Sequence, residues 1–391
     1  MGKFLVAALF WLTPFLQLGV SYYISAQVAG VVGLLFVVAK TSLQRKALFL
    51  VVLGGSVFLV KAFAEMPSFD MREMLLVFRE AFCFSVLVLA VGRVANLYRP
   101  ASLLKGYYFF LAVSVVLVCV QFLAIRCGGF ISFPFGWFIA NSATLIGVDE
   151  ALEYGTRLRP VGFYGEPSYM AFVLISALTV FLSVDKVRLK VVVSVLFFNL
   201  IALFLLSSLA GALAFFLIII VYFSGRKLPG VRMTAVSKVL MVGVGVLIAV
   251  GGLSVDSEFS RRMGAMFSGD GDMSIYIRYV IPVLLLKDMF SSGHLLGYAG
   301  GEIVGLAQGY GIESIDNALF YLLLHYGLLA PLLMAFLIRY VRYSILVAYA
   351  LIVLNFNGAY FSFDKIVVMS LTIGLSVGLL RRARGERCYE V

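Results

Sequence analysis

Residues 157–184 read "RLRPVGFYGEPSYMAFVLISALTVFLSV". Two arginines, two prolines and a glutamate lead into an uncharged apolar run, 168–184, long enough to cross a bilayer. The same alternation of charged threshold and apolar run recurs along the chain, and it decides the fold.

The 391 residues are 62% hydrophobic and 13% charged, with a mean hydropathy of +1.05. A soluble domain is about 45–50% apolar and about 25% charged, so a water-soluble core does not account for this chain. About twelve apolar runs can be drawn, near 4–19, 23–39, 47–64, 73–92, 106–125, 168–184, 191–207, 210–224, 239–254, 317–338, 343–362 and 366–380. The runs at 4–19 and 210–224 are short, and 343–362 carries Asn355 and Asn357. A second apolar run follows the first within a few residues, so residues 1–19 read as a retained helix and not a signal peptide. The expected fold is an all-α polytopic integral membrane protein, a single transmembrane domain over residues 1–391.

Charge sets the expected orientation. With both termini cytoplasmic, the inner connections hold 20 of the 31 basic residues and three of the 20 acidic ones. Every inner segment is then basic, as the positive-inside rule requires. The net charge of +11 thus reports topology and contact with anionic lipid, not nucleic acid. Cys83, Cys119, Cys127 and Cys388 show no CxxC spacing, and His294 and His325 are the only histidines. Neither a disulfide framework nor a metal centre is expected.

Two outer segments, 126–167 and 255–316, are longer than a plain connection needs and give chemistry its room. They supply Arg157, Arg159, Glu166, Arg261, Arg262, Arg278, Lys287, Asp316 and Asn317. Arginine holds phosphate oxygens bidentately and stays charged at physiological pH. A carboxylate nearby can take a proton from a sugar hydroxyl. Structural readings stand beside these. Glu166-Pro167-Ser168 suits a helix start, Asp316 suits an N-cap, and Arg159 and Arg278 suit interfacial anchors. In "SIYIRYVIPVLLLKDMF" (274–290) the apolar stretch is too short to span, and Pro282 interrupts it. It reads as a helix at the interface or packed on the bundle. "GHLLGYAGGEIVG" (293–305) reads as a loop, with Gly297, Gly300 and Gly301 as turn residues rather than a phosphate cradle. Within "LLVFREAFCF" (75–84), Arg79 and Glu80 point about 100° apart on a helix and need partners elsewhere, such as another helix or a substrate. Lys61 is expected to snorkel.

Arg159, Gly162, Phe163, Glu166, Pro167 and Ser168 form R-x-x-G-F-x-x-E-P-S at the opening of a span. After it come the serine break "LLSSLAGALAFFL" (205–217), the lone Arg278 before a glycine-rich stretch, and Asp316-Asn317 with Gly327. This order resembles the Wzy-type O-antigen and exopolysaccharide polymerases, in the superfamily that also holds O-antigen ligases. The motif order covers residues 155–330, and the topology covers the whole chain.

The resemblance implies a GT-C-like, metal-independent glycosyltransferase of the bacterial inner membrane, with its active site facing the periplasm and no cofactor. It would move a growing glycan from undecaprenyl diphosphate onto the next lipid-linked repeat unit, with inversion if attack is direct. Arg159 and Arg278 would engage the donor diphosphate, with Arg157 and Asn317 beside them, and Glu166 or Asp316 would be the base. A chain-length regulator is the protein partner such enzymes commonly have. The ligase branch has a histidine where this chain has Asp316, which speaks against ligase. A lipid-linked oligosaccharide flippase is the non-enzyme alternative, though the chain's halves show no repeat of the kind many transporters have.

Overall fold

A computed structural model describes residues 2–16, 25–39, 45–65, 71–97, 100–127, 129, 159–164, 166–184, 187–225, 276–312, 315, 317–356 and 359–384. The expected run 239–254, most of both long segments, and Arg157, Arg261, Arg262 and Asp316 lie outside them. The described residues are helical, with no strand among them. In order the helices are α1 (Gly2–Leu12), α2 (Ala26–Ala39), α3 (Arg45–Glu65), α4 (Met71–Leu97), α5 (Pro100–Arg126), α6 (Pro167–Leu182) and α7 (Leu189–Leu205). They continue with α8 (Leu209–Gly225), α9 (Ile281–Ser291), α10 (Gly300–Gly309), α11 (Ala318–Tyr326), α12 (Leu329–Val341), α13 (Ser344–Val353) and α14 (Phe363–Ala383).

Helices α3, α4, α5 and α14 are long and apolar enough to cross a membrane, while α2, α6, α7, α8, α12 and α13 are apolar but shorter. The architecture is that expected of a polytopic membrane protein. Two expected runs are shorter or broken. The first is helical only to Leu12, where a 3₁₀ turn containing Pro14 takes over. The run 317–338 breaks at Gly327 into α11 and α12. Gly327 has φ +53° and ψ −130°, a conformation that essentially only glycine adopts. Any side chain there would meet the carbonyl oxygen of Leu295. Backbone groups freed by the break are paired inside the protein: Leu328 N donates to Leu295 O at 2.9 Å, and Tyr298 N to Leu324 O at 2.7 Å. Irregular backbone at membrane depth is tolerated only when buried and satisfied in this way.

α14 is the central helix, packed most extensively on α4 and also on α1, α2 and α6. Asp364 in its first turn and Arg381 and Arg382 in its last oppose the helix dipole at both ends. Gly374 and Gly378 are one turn apart on α14. A Cβ at Gly374 would lie 2.6 Å from the Val94 Cβ, and one at Gly378 would meet the Ala95 carbonyl. Small residues at such spacing let two backbones approach.

A smaller core lies to one side. Ile281, Leu285 and Met289 of α9 meet Tyr298, Ile303, Ala307 and Leu324, while Val283, Leu284 and Phe290 face outward. α9 is thus packed on α11 with an apolar outer face, as its length led us to expect. Pro282 opens this helix instead of interrupting it, and a π-helical turn, Tyr276–Val280, precedes it. Of the glycine-rich stretch only the first part is a turn, with Gly297 at φ +84°. Gly300 and Gly301 begin α10, and their N–H groups each donate to the Glu73 carboxylate of α4 at 2.6 Å.

The buried charges near this lobe are partnered. Glu80, 1% exposed, accepts from the Tyr326 hydroxyl of α11 at 2.6 Å, and Arg79 Nη2 comes within 3.8 Å of its other oxygen. Lys61 does not snorkel. It is 1% exposed, and its ammonium donates to the carbonyls of Leu296 and Tyr298 at 3.2 and 3.0 Å.

Close α4–α14 packing gives two glycine substitutions opposite signs. Gly378→Ala forces the backbones apart and should cost about 1–3 kcal/mol. Gly55→Ala on α3 meets no atom within 4 Å and should gain up to about 1 kcal/mol from helix propensity. Thermal unfolding of the detergent-solubilised variants checks both, with the midpoint lowered in the first and unchanged or raised in the second.

Candidate functional site

The stretch 159–168 is held by contacts its own sequence prepares. Gly162 has φ +65°, and a Cβ there would press on the Met170 side chain at 2.9 Å, so the turn requires glycine. Gln121, near the end of α5, clamps this turn. Its Oε1 accepts from Val161 N and Gly162 N at 3.0 and 2.8 Å, and its Nε2 donates to Gly162 O at 3.1 Å. The Tyr164 hydroxyl donates to Thr13 O at 2.7 Å. Burial, and then the charge of Asp364, push that hydroxyl well above its ordinary pKa, so it remains a donor. Arg159 is half-buried at the head of the clamped turn.

Glu166 occupies the N-cap position of α6 in extended conformation with Pro167 after it, as a helix start should. Its side chain makes no capping bond. Instead its Oε2 accepts from Ser168 Oγ at 2.8 Å. The structural reading therefore holds for the backbone and leaves the carboxylate to other partners.

The start of α14 brings a charge near it. Lys365 is 2% exposed and donates to Phe356 O at 3.4 Å, and the charges of Asp364 and Glu166 reach it. The Asp364 charge also reaches Tyr164 and Tyr169. Phe356 is itself fixed by its ring contact with Phe172 of α6, centroids 5.5 Å apart.

The turn after α13 binds a third helix start. Ala318 N donates to Phe356 O at 3.2 Å and Leu319 N to Leu354 O at 2.8 Å. Asn317, 1% exposed, caps α11, its Oδ1 accepting from Leu319 N and Phe320 N at 3.0 and 3.4 Å. The cap is thus Asn317, where Asp316 was expected. Asn317 Nδ2 donates to Asn355 Oδ1 at 3.3 Å, and the same oxygen accepts from the Tyr279 hydroxyl at 2.5 Å. Tyr279 follows Arg278, which is half-buried on the π-helical turn before α9.

One end of the bundle therefore gathers the starts of α6, α11 and α14 and the turn that carries Arg278. Of the residues expected from sequence, Glu166 and Asn317 lie in this assembly, Arg278 adjoins it, and Arg159 heads the clamped turn. Arg157 and Asp316 are outside the described residues. Sequence reasoning missed Tyr279, Asn355, Asp364 and Lys365. A signal was present: "NFNGAYFSFDK" (355–365) is conspicuously polar for a connection between two apolar helices. Chemically the cluster offers a carboxylate that makes no capping bond and a buried ammonium. The helix starts around them bring positive dipole ends, which suit an anion.

The family model described as WcaD colanic acid polymerase matches residues 5–372. A comparison with individual curated proteins finds no match.

Asn355 bridges Asn317 and Tyr279, so Asn355→Leu leaves the buried Asn317 amide without this acceptor, at a cost of about 1–3 kcal/mol, and releases the exposed Tyr279 hydroxyl to solvent. Faster hydrogen exchange at residues 276–280, with exchange in α4 unchanged, is the expected outcome. Tyr279→Phe removes only one partner and should move exchange less.

Proposed function

The chain belongs to the WcaD colanic acid polymerase family, and we propose that it polymerises an exopolysaccharide from lipid-linked repeat units at the periplasmic face of the bacterial inner membrane. In this reading the chain crosses the membrane about twelve times with both termini cytoplasmic, in a GT-C-like arrangement. The gathered helix starts then lie at the periplasmic end. One observation carries the proposal beyond the family: the helix that Glu166 opens, Asn317 and the Arg278 turn, far apart in sequence, all meet the single connection between α13 and α14.

The reaction follows from the parts. The growing glycan is attached through its anomeric carbon to undecaprenyl diphosphate. A hydroxyl of the next lipid-linked repeat unit attacks that carbon, forming the new glycosidic bond as the carbon–oxygen bond to the diphosphate breaks. The hydroxyl proton passes to a carboxylate, Glu166 in our assignment with Asp316 as the alternative, and undecaprenyl diphosphate departs as the anion. Direct attack inverts the anomeric centre. Arg159 and Arg278, supported by Arg157 and Asn317, hold the leaving group. Guanidinium forks match its oxygens bidentately, and positive groups placed where charge develops lower the barrier. Because the arginines neutralise the leaving group, this scheme calls for no divalent metal. A chain-length regulator is the protein partner we expect to set the product's size.

Arg159→Ala and Arg278→Ala should abolish long-chain glycan, leave membrane insertion intact, and cause single lipid-linked repeat units to build up on the periplasmic face. Normal chain length in either variant removes that arginine from the scheme, and retention of the units on the cytoplasmic face identifies a flippase instead. Arg278→Lys should also be defective, because an ammonium cannot replace a fork.

Glu166→Gln should lower the polymerisation rate on the order of 100-fold or more, as measured on the purified, reconstituted enzyme. Equal loss in Asp316→Asn alone would move the base to Asp316.

A further inference from the structure

The scheme above gives no task to the buried charge of Lys365. Lys365 sits at the start of the central helix with 2% of its surface exposed. Burying an ammonium among apolar helices is costly, and a buried ion pair adds little or nothing to stability compared with well-packed apolar residues. Its surroundings are specific. The ammonium donates to Phe356 O, whose ring rests on Phe172 in the second turn of α6. α14 packs along α6, so the Lys365 end of one helix meets the Glu166 end of the other. Ser168 Oγ fixes the Oε2 side of the Glu166 carboxylate from within its own helix.

We infer that Lys365 is a positioning residue for glycosyl transfer, its ammonium and the Ser168 hydroxyl together holding the Glu166 carboxylate in the one orientation from which it can receive the acceptor's proton. The inference rests on the assignment of Glu166 as the base. Lys365 needs no contact with substrate, which agrees with its burial. It also explains why Glu166 makes no capping bond although it stands at an N-cap. A carboxylate committed to its own helix could not follow a proton.

The ammonium also acts on charge. The titratable and charged groups that meet here are Lys365 and Asp364 from α14 and Tyr164 and Tyr169 from the Glu166 segment. Lys365 alone of these brings a positive charge to the carboxylates.

The test uses the full-length enzyme, reconstituted in liposomes with undecaprenyl-diphosphate-linked repeat units and assayed for kcat and KM. Lys365→Met should lower kcat on the order of 100-fold and change KM for the lipid-linked donor by less than about twofold. Lys365→Arg keeps the charge but not its exact placement, so it should restore only part of kcat. In a Glu166→Gln background, Lys365→Met should cost nothing further, because both act through one carboxylate. Should Lys365→Met not accumulate in the membrane, Lys365→Met/Asp364→Asn restores charge balance and carries the same expectations. The inference is overturned alone if Glu166→Gln is inactive while Lys365→Met keeps the wild-type kcat. It is also overturned if the two losses multiply in the double variant, as independent structural damage would. If Glu166→Gln polymerises normally, the base assignment fails and the inference falls with it.

Discussion

The carbonyl oxygens of Leu354 and Phe356 hold the site end of this protein together. Phe356 O accepts from Ala318 N and from the Lys365 ammonium, and Leu354 O accepts from Leu319 N. These carbonyls are available because α13 stops early, at Val353, and leaves its last acceptors outside the helical ladder. In water such groups would be solvated and exert little constraint. In an apolar bundle each must find a donor, and the donors at hand are the orphan N–H groups of α11 and a lysine on α14. The unsatisfied end of one helix thus fixes the beginnings of two others. The site is a consequence of helix ends meeting where no solvent can satisfy them.

The same constraint shapes the lobe that carries Arg278. Breaking α11 from α12 at Gly327 exposes backbone groups, and the segment 295–298 answers them with its own. Lys61 then takes the carbonyls of Leu296 and Tyr298, while Glu73 takes the N–H groups of Gly300 and Gly301. Charged residues of α3 and α4 therefore serve as caps for a loop and a short helix elsewhere. A lobe with its own small apolar core is fastened to the bundle by polar contacts at these points. Its turn before α9 reaches the site through Tyr279.

How much of this could be read from the sequence follows from the range of each interaction. The apolar runs at 47–64, 73–92 and 106–125 were legible because hydrophobicity over some twenty residues is a local property. The helix start at Glu166-Pro167 was legible for the same reason. Lys61 was misread: four residues from a helix end, snorkelling is the ordinary outcome, and the carbonyls that hold it lie 235 and 237 residues away. Gly300 and Gly301 were read as turn residues because glycine weakens helices. They open one because Glu73 receives their N–H groups. Asn355 and Lys365 were passed over for a different reason. Each counted as a flaw in an apolar run or as part of a connection, and their meaning lies in what they touch.

The arrangement also bears on how the proposed site would accommodate a carboxylate and a diphosphate together. An acid placed beside an anionic leaving group would repel it and would be driven to its neutral form. Here the charges of Glu166 and Asp364 act on the Lys365 ammonium, and its opposite sign offsets theirs within the protein. The helix starts of α6, α11 and α14 add partial positive charge at the same end. In the proposed scheme the buried lysine and the half-buried arginines divide the work: Lys365 balances the protein's own charge, and Arg159 and Arg278 meet the charge that substrate brings.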